Sequence, residues 1–137
     1  MRRCARGAGM LDALIALVIL AFGLLAMTRF QGRLVTQTTE AQTRMTALQF
    51  SGELLNTALV DVGNAVCYTL PAAGGCGSAT ASARALDWSG RVTSALPGSV
   101  VARSTLGADG RLTVAIQWTG RDAGDTRLLE AVTDVRP

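Results

Sequence analysis

The sequence predicts an α+β chain. A long N-terminal helix, membrane stem first and amphipathic half second, is expected to pack on a small antiparallel sheet of about three strands with one short extra helix. Three observations predict it. Ala13 to Met27 is a run of fifteen residues without a polar side chain. No proline interrupts the chain from Ala8 to Val62. Arg111 to Thr119 alternates, with Leu112, Val114, Ile116 and Trp118 on one side and Thr113, Ala115 and Gln117 on the other. That period of two marks a half-buried strand.

The apolar run is short of a full membrane span, which needs about 20 residues. The span must therefore include Met10 and Leu11 before it and Thr28 to Phe30 after it. Arg2, Arg3 and Arg6 lie on the N-terminal side, which favours a cytoplasmic N-terminus with the remainder outside.

Beyond the stem the helix is expected to continue with a changed character. Phe30, Leu34, Ala41, Met45, Leu48, Gly52, Leu55, Leu59 and Val62 recur at spacings of three, four or seven, one face of a 3.6-period helix. Gln37, Thr38, Glu40, Gln42, Arg44 and Glu53 lie between them as a solvated face. Gly63 and Asn64 are stop residues. Such a helix is about 80 Å long at about 1.5 Å per residue.

Gly63 to Ser82 reads as a Gly/Ala/Ser-rich loop. Ala83 to Leu96 follows as a short amphipathic helix, with Trp88, Val92 and Leu96 four residues apart and Thr80 or Ser82 as its cap. Pro97-Gly98 breaks the chain. Ser99 to Thr105 is a β-branched run, Gly107 to Gly110 a hairpin turn, Gly120 to Asp125 a polar turn, and Thr126 to Val135 a third strand. The two helices are the available covers for one sheet face. The expected organisation is a leader at 1–7, a transmembrane stem at 8–30, an amphipathic continuation at 31–62 and a globular head at 63–137.

The formal charge of +3 is carried by the leader. All thirteen basic residues are arginine, and three lie before Ala8, so the rest of the chain balances its ten acids. No basic patch for nucleic acid survives that subtraction. Arg84, Arg91, Arg103, Arg111, Arg121, Arg127 and Arg136 are interspersed with Asp87, Asp109, Asp122, Asp125, Glu130 and Asp134. Histidine is absent, which removes the commonest general base and metal ligand. Serine and threonine nucleophiles would lack an activating base, and Asp122 with Asp125 in a Gly-rich turn is the weak remaining carboxylate pair. The expectation is a non-enzyme with no cofactor and no metal.

Arg6 to Gln31, RGAGMLDALIALVILAFGLLAMTRFQ, sets a small residue at the end of a basic leader before an apolar helix with one early acid. It resembles the class III signal of type IV pilins and type II secretion pseudopilins, which prepilin peptidase cuts after a glycine. The register follows the PilV family of minor pilins, including Gly23-Leu24-Leu25 and Gln31. In that family an acid lies four residues after the first mature residue. Asp12 is the only acid before the apolar run, so the resemblance implies cleavage between Gly7 and Ala8, N-methylation of Ala8, and Asp12 as the assembly acid. Cutting after Gly9 would put Leu14 in the acid's place. Ala8 stands where Phe or Met is usual, and Asp12 replaces Glu. The alternative for Asp12 is an acid at headgroup level beside the leader arginines. The short Trp-containing helix, Leu96-Pro97-Gly98, the hairpin and the strand ending at Trp118 resemble the C-terminal half of the same family.

The resemblance implies a type IV pilin-like fold with a ladle-like stem and head. It implies a minor pilin in the bacterial inner membrane, head in the periplasm, later built into the filament. Its implied partners are prepilin peptidase, other minor pilins and the major pilin, with a tip adhesin as a further candidate and no nucleic acid. In a periplasmic head, Cys67 and Cys76 enclose YTLPAAGG and are expected to form a disulfide; two reduced buried thiols are the alternative. Cys4 leaves with the leader. Three other readings stay open. A minor pseudopilin resembling subunit I of a type II secretion system shares the leader and stem. A DNA-binding competence pilin would need a basic patch on the head. A Sec-type signal cut near Ala21-Phe22-Gly23 would release a soluble protein, although Asp12 is awkward in its n-region and the apolar character runs on to Met27.

Overall fold

The computed structural model describes residues 5–120 and 124–136, with side chains from residue 9 onward. Cys4, Arg121 and Asp122 lie outside the described residues, as do the side chains of Arg6, Gly7 and Ala8. The chain divides into two compact units, one up to Thr39 and one from Glu40 onward.

Helix α1 runs Ala5–Val60, 56 residues, through the first unit and into the second. A 3₁₀ segment, Val62–Tyr68, follows, kinked at Asn64. Helix α2 spans Ala79–Ala95. Strands β1 (Val100–Leu106), β2 (Arg111–Thr119) and β3 (Thr126–Asp134) form one antiparallel sheet in the order β1-β2-β3. Arg103 pairs with Ala115, and Ala115 in turn with Glu130.

In the first unit, α1 leaves its apolar side chains uncovered. From Met10 to Phe30 every large apolar residue is exposed, from 50% at Ile15 to 74% at Met10.

The second unit holds the core. Leu112, Val114, Ile116 and Trp118 of β2 are buried, as their alternation predicts. Leu129 and Val135 join them from the β3 side, and Ser104 is the fully buried residue of β1. From α2 come Ala81, Ala85, Trp88 and Val92, closed by Leu96 just beyond the helix. From α1 come Ala47, Ser51, Leu54, Leu55 and Ala58.

That α1 face corrects the predicted one. Met45, Leu48 and Leu59 are exposed, and of the predicted stripe Leu55 alone is buried in the core. The buried face lies about a quarter turn away at about 3.6 residues per turn. Its centre is built of alanine and serine, with Ala47 and Ala58 at 0% and Ser51 at 1% exposure.

Two further expectations are corrected. The segment Gly63 to Ser82 is not loop throughout, because a 3₁₀ segment runs to Tyr68 and α2 begins at Ala79, with Ala65, Cys67, Tyr68 and Leu70 buried in the core. The α2 cap is Ser78, whose hydroxyl accepts from the Ala81 N–H at 3.3 Å, so α2 begins a turn earlier than its apolar pattern indicates.

Gly98 sets the entry to the sheet. Its φ of 73° is left-handed, and an added Cβ would lie 2.4 Å from Thr119 Oγ1. That hydroxyl accepts from the Ser99 N–H at 2.6 Å, so the glycine lets the chain cross the end of β2 in contact.

Candidate functional site

The candidate site has two parts: the start of α1, and the braced head surface formed by α1, α2 and the disulfide loop.

Gly7 and Ala8 lie in the first turns of α1, and Asp12 is exposed on the same helix. Among the described residues, α1 is the one helix long and apolar enough to cross a membrane. Three of its threonines bond back to their own helix. Thr28 Oγ1 donates to the Leu25 carbonyl at 2.9 Å, Thr36 to Arg33 at 2.7 Å and Thr38 to Val35 at 2.9 Å. A hydroxyl that donates back to its own helix asks no water for that bond. Thr28 therefore fits within an extension of the apolar run.

The end of α1 is pinned by one carboxylate. Asp61 Oδ2 accepts from the Tyr68 hydroxyl at 3.0 Å, and Oδ1 accepts from Asn64 Nδ2 at 2.8 Å. Tyr68 is fully buried. Burial first, and then its bond to Asp61, push the Tyr68 pKa above the usual tyrosine value, with Arg84 opposing. Its backbone carbonyl accepts from the buried Ser104 hydroxyl. Leu70 and Ser104 exchange two backbone hydrogen bonds, each 2.9 Å.

Cys67 and Cys76 are joined by a disulfide, with Cα atoms 4.7 Å apart. Cys67 is buried and Cys76 exposed, so the bond ties a surface loop to the core. Within the loop Thr69 Oγ1 donates to the Val66 carbonyl at 2.8 Å and accepts from the Ala73 N–H at 3.2 Å.

Across α1 and α2, Arg91 grips Glu53 through both guanidinium nitrogens, at 3.0 and 2.5 Å. Its Nε donates to Asp87 at 3.0 Å, and its guanidinium lies 5.8 Å from the centre of the Phe50 ring. Those bonds hold the Arg91 pKa above its usual value. The cleft beside it is lined by Tyr68, Arg84, Asp87, Trp88 and Glu53, with Glu53 and Asp87 both paired to Arg91.

Several other head charges form ion pairs. Arg127 meets Asp125 at 2.8 Å and Glu40 at 3.1 Å, Arg136 meets Asp134, and Arg111 lies 3.7 Å from Asp109. Asp125, one half of the weak carboxylate pair, is thus bound to Arg127; Asp122 lies outside the described residues. Among the described residues no three metal-ligating side chains come together.

The Asp61 pin, the Ser104 bond and the contact between Leu70 and β1 were not anticipated from the sequence. They link residues far apart in the chain through polar groups that carry no periodic signal. Comparison with protein-family models, with curated proteins and with solved structures finds no match to this chain.

Proposed function

We propose that this chain is a minor pilin of a type IV pilus. It sits in the bacterial inner membrane as a single pass with its head in the periplasm. Prepilin peptidase cuts it between Gly7 and Ala8, and Ala8 is then N-methylated. It primes filament assembly together with other minor pilins and the major pilin, with a tip adhesin as a further partner. Asp12 receives the N-terminal amine of a neighbouring subunit during assembly. The role is structural: stems pack side by side and heads meet laterally.

One observation carries this reading. The helix that leaves every large apolar side chain from Met10 to Phe30 at least half exposed also supplies Ala47 to Ala58 to the head core. Covering a Leu, Ile, Val or Phe side chain yields about 1.5–3 kcal/mol each. So long an uncovered apolar surface calls for lipid or neighbouring stems around it. A removable export signal has no need to continue into a folded core.

Mass spectrometry of the protein purified from its host tests the reading. A methylated N-terminus at Ala8 is the expected result. A start at Met10 shifts the register, and a start at Leu24 defeats the proposal by making the protein a secreted one. Clean deletion of the gene is expected to reduce surface pili. Loss of protein secretion with intact pili assigns the chain to a secretion system instead.

A further inference from the structure

The two edges of the sheet are not equivalent. The outer edge of β1 is covered at its centre, where Ser104 and Leu70 exchange backbone hydrogen bonds. β3 has no such cover among the described residues. The phase of its ladder follows from two bonds: Gly120 N–H to the Asp125 carbonyl at 2.6 Å, and Val135 N–H to the Gly110 carbonyl at 2.9 Å. Odd-numbered residues of β3 therefore bond to β2, and even-numbered ones face away. Thr126 N–H turns to the Gly124 carbonyl at 3.1 Å. Leu128, Glu130 and Val132 are left presenting N–H and C=O groups along a straight free edge.

Sheet proteins usually blunt such an edge with proline, a bulge or lysine. β3 pairs with β2 over nine consecutive residues in unbroken register and has none of these. Leu128 is 58% and Val132 55% exposed, on the sheet face away from the core. Glu130 stands between them, exposed, with no ion pair or hydrogen bond among the described residues. The other charges of this strand are compensated, Arg127 by Asp125 and Glu40, and Asp134 by Arg136. The edge thus offers apolar, acidic, apolar side chains at alternate positions, with open backbone groups beside them.

A second copy of the chain fits poorly. The antiparallel register that sets Leu128 beside Val132 also sets Glu130 beside Glu130, and like charges directly opposite are unfavourable.

We propose that the free edge of β3 binds an extended segment of a partner protein by strand addition. The segment carries a basic residue flanked at alternate positions by aliphatic or β-branched ones. This edge belongs to the head and exists whether or not the chain works in a pilus.

The test uses the full-length, disulfide-bonded protein in detergent micelles and a fluorescent peptide, Thr-Val-Thr-Lys-Thr-Val-Thr, followed by anisotropy. Saturable binding is expected, weaker by about fivefold for the same peptide with glutamate at its centre. Glu130→Lys should reverse that preference. Val132→Pro should abolish binding while circular dichroism stays unchanged, because the lost N–H points away from β2. Equal binding of the two peptides, an unchanged preference in Glu130→Lys, unaltered binding by a folded Val132→Pro, or no saturable binding overturns the proposal.

Discussion

The indole N–H of Trp88 donates to the backbone carbonyl of Phe50 at 2.8 Å, across the junction of α2 and α1. Trp88 is the largest fully buried side chain of the head. Its one polar atom therefore ends on a carbonyl of helix α1. The bond sets the register of the two helices as well as satisfying a buried donor.

Trp88→Phe is expected to cost about 1–3 kcal/mol, from the lost bond and the smaller ring. Trp88→Ala should cost about 3–5 kcal/mol. Chemical denaturation of the purified protein, followed by circular dichroism, measures both. A loss below about 0.5 kcal/mol for Trp88→Ala would show that the indole does not hold the helices together.

Reduction of the Cys67–Cys76 bond should destabilise the head by about 2.5–3 kcal/mol, the chain-entropy value for a loop of this size. Cys67→Ser is expected to be worse than Cys76→Ser, because it places a hydroxyl in the core, whereas residue 76 is exposed. Denaturation midpoints of the two variants, compared under reducing conditions, settle their order.

Tyr68 is the chain's single tyrosine, so tyrosinate absorbance reports on it alone. Its pKa is raised in the folded head by burial and by Asp61. The neutral hydroxyl is the form the fold prefers. Its contribution is complete below the unfolded value of about 10 and is lost as pH rises through the higher folded value. The titration midpoint should lie above 10 in the native protein and return to about 10 in denaturant. Tyr68→Phe should flatten the alkaline loss of stability.

Asp134 has the opposite sign. The Arg136 guanidinium, and after it the Arg136 backbone N–H, hold its carboxyl down at about 2. A depressed acid stabilises the fold above its unfolded value of about 4 and loses that contribution as pH falls toward 2. Carboxyl NMR should place the Asp134 midpoint near 2, and Arg136→Ala should raise it. Because the pair is exposed, added salt should reduce the shift.

Much of the head was legible in the sequence. The alternation of β2 identified its inward residues, and Trp88, Val92 and Leu96 gave the buried side of α2. The spacing of Cys67 and Cys76 pointed to their bond. The α1 core face was not legible, because Met45, Leu48 and Leu59 form a louder apolar pattern than Ala47, Ser51 and Ala58. Those smaller residues lie in the same buried core as Trp88, a residue thirty or more positions away in the chain. The segment around Tyr68 and Leu70 was hidden by its Gly/Ala/Pro composition. Its burial depends on one carboxylate, Asp61, and on the exposed backbone of β1. The glycine, alanine and aspartate proposed for processing and assembly are legible only as a pattern of residues; α1 gives them a helical backbone and no partner among the described residues.

The buried small residues of α1 and α2 also predict where the head tolerates change. Ala47, Ala58, Ala81 and Ala85 are buried to 0–1% exposure. Added methylenes there overpack the core, at about 1–3 kcal/mol per site. Met45 and Leu48, though larger and greasier, are 63% and 45% exposed and lie outside the core cluster. A map of mutational tolerance should therefore run against hydrophobicity along this helix, with alanines the most constrained positions and exposed leucines and methionines among the freest in an isolated head.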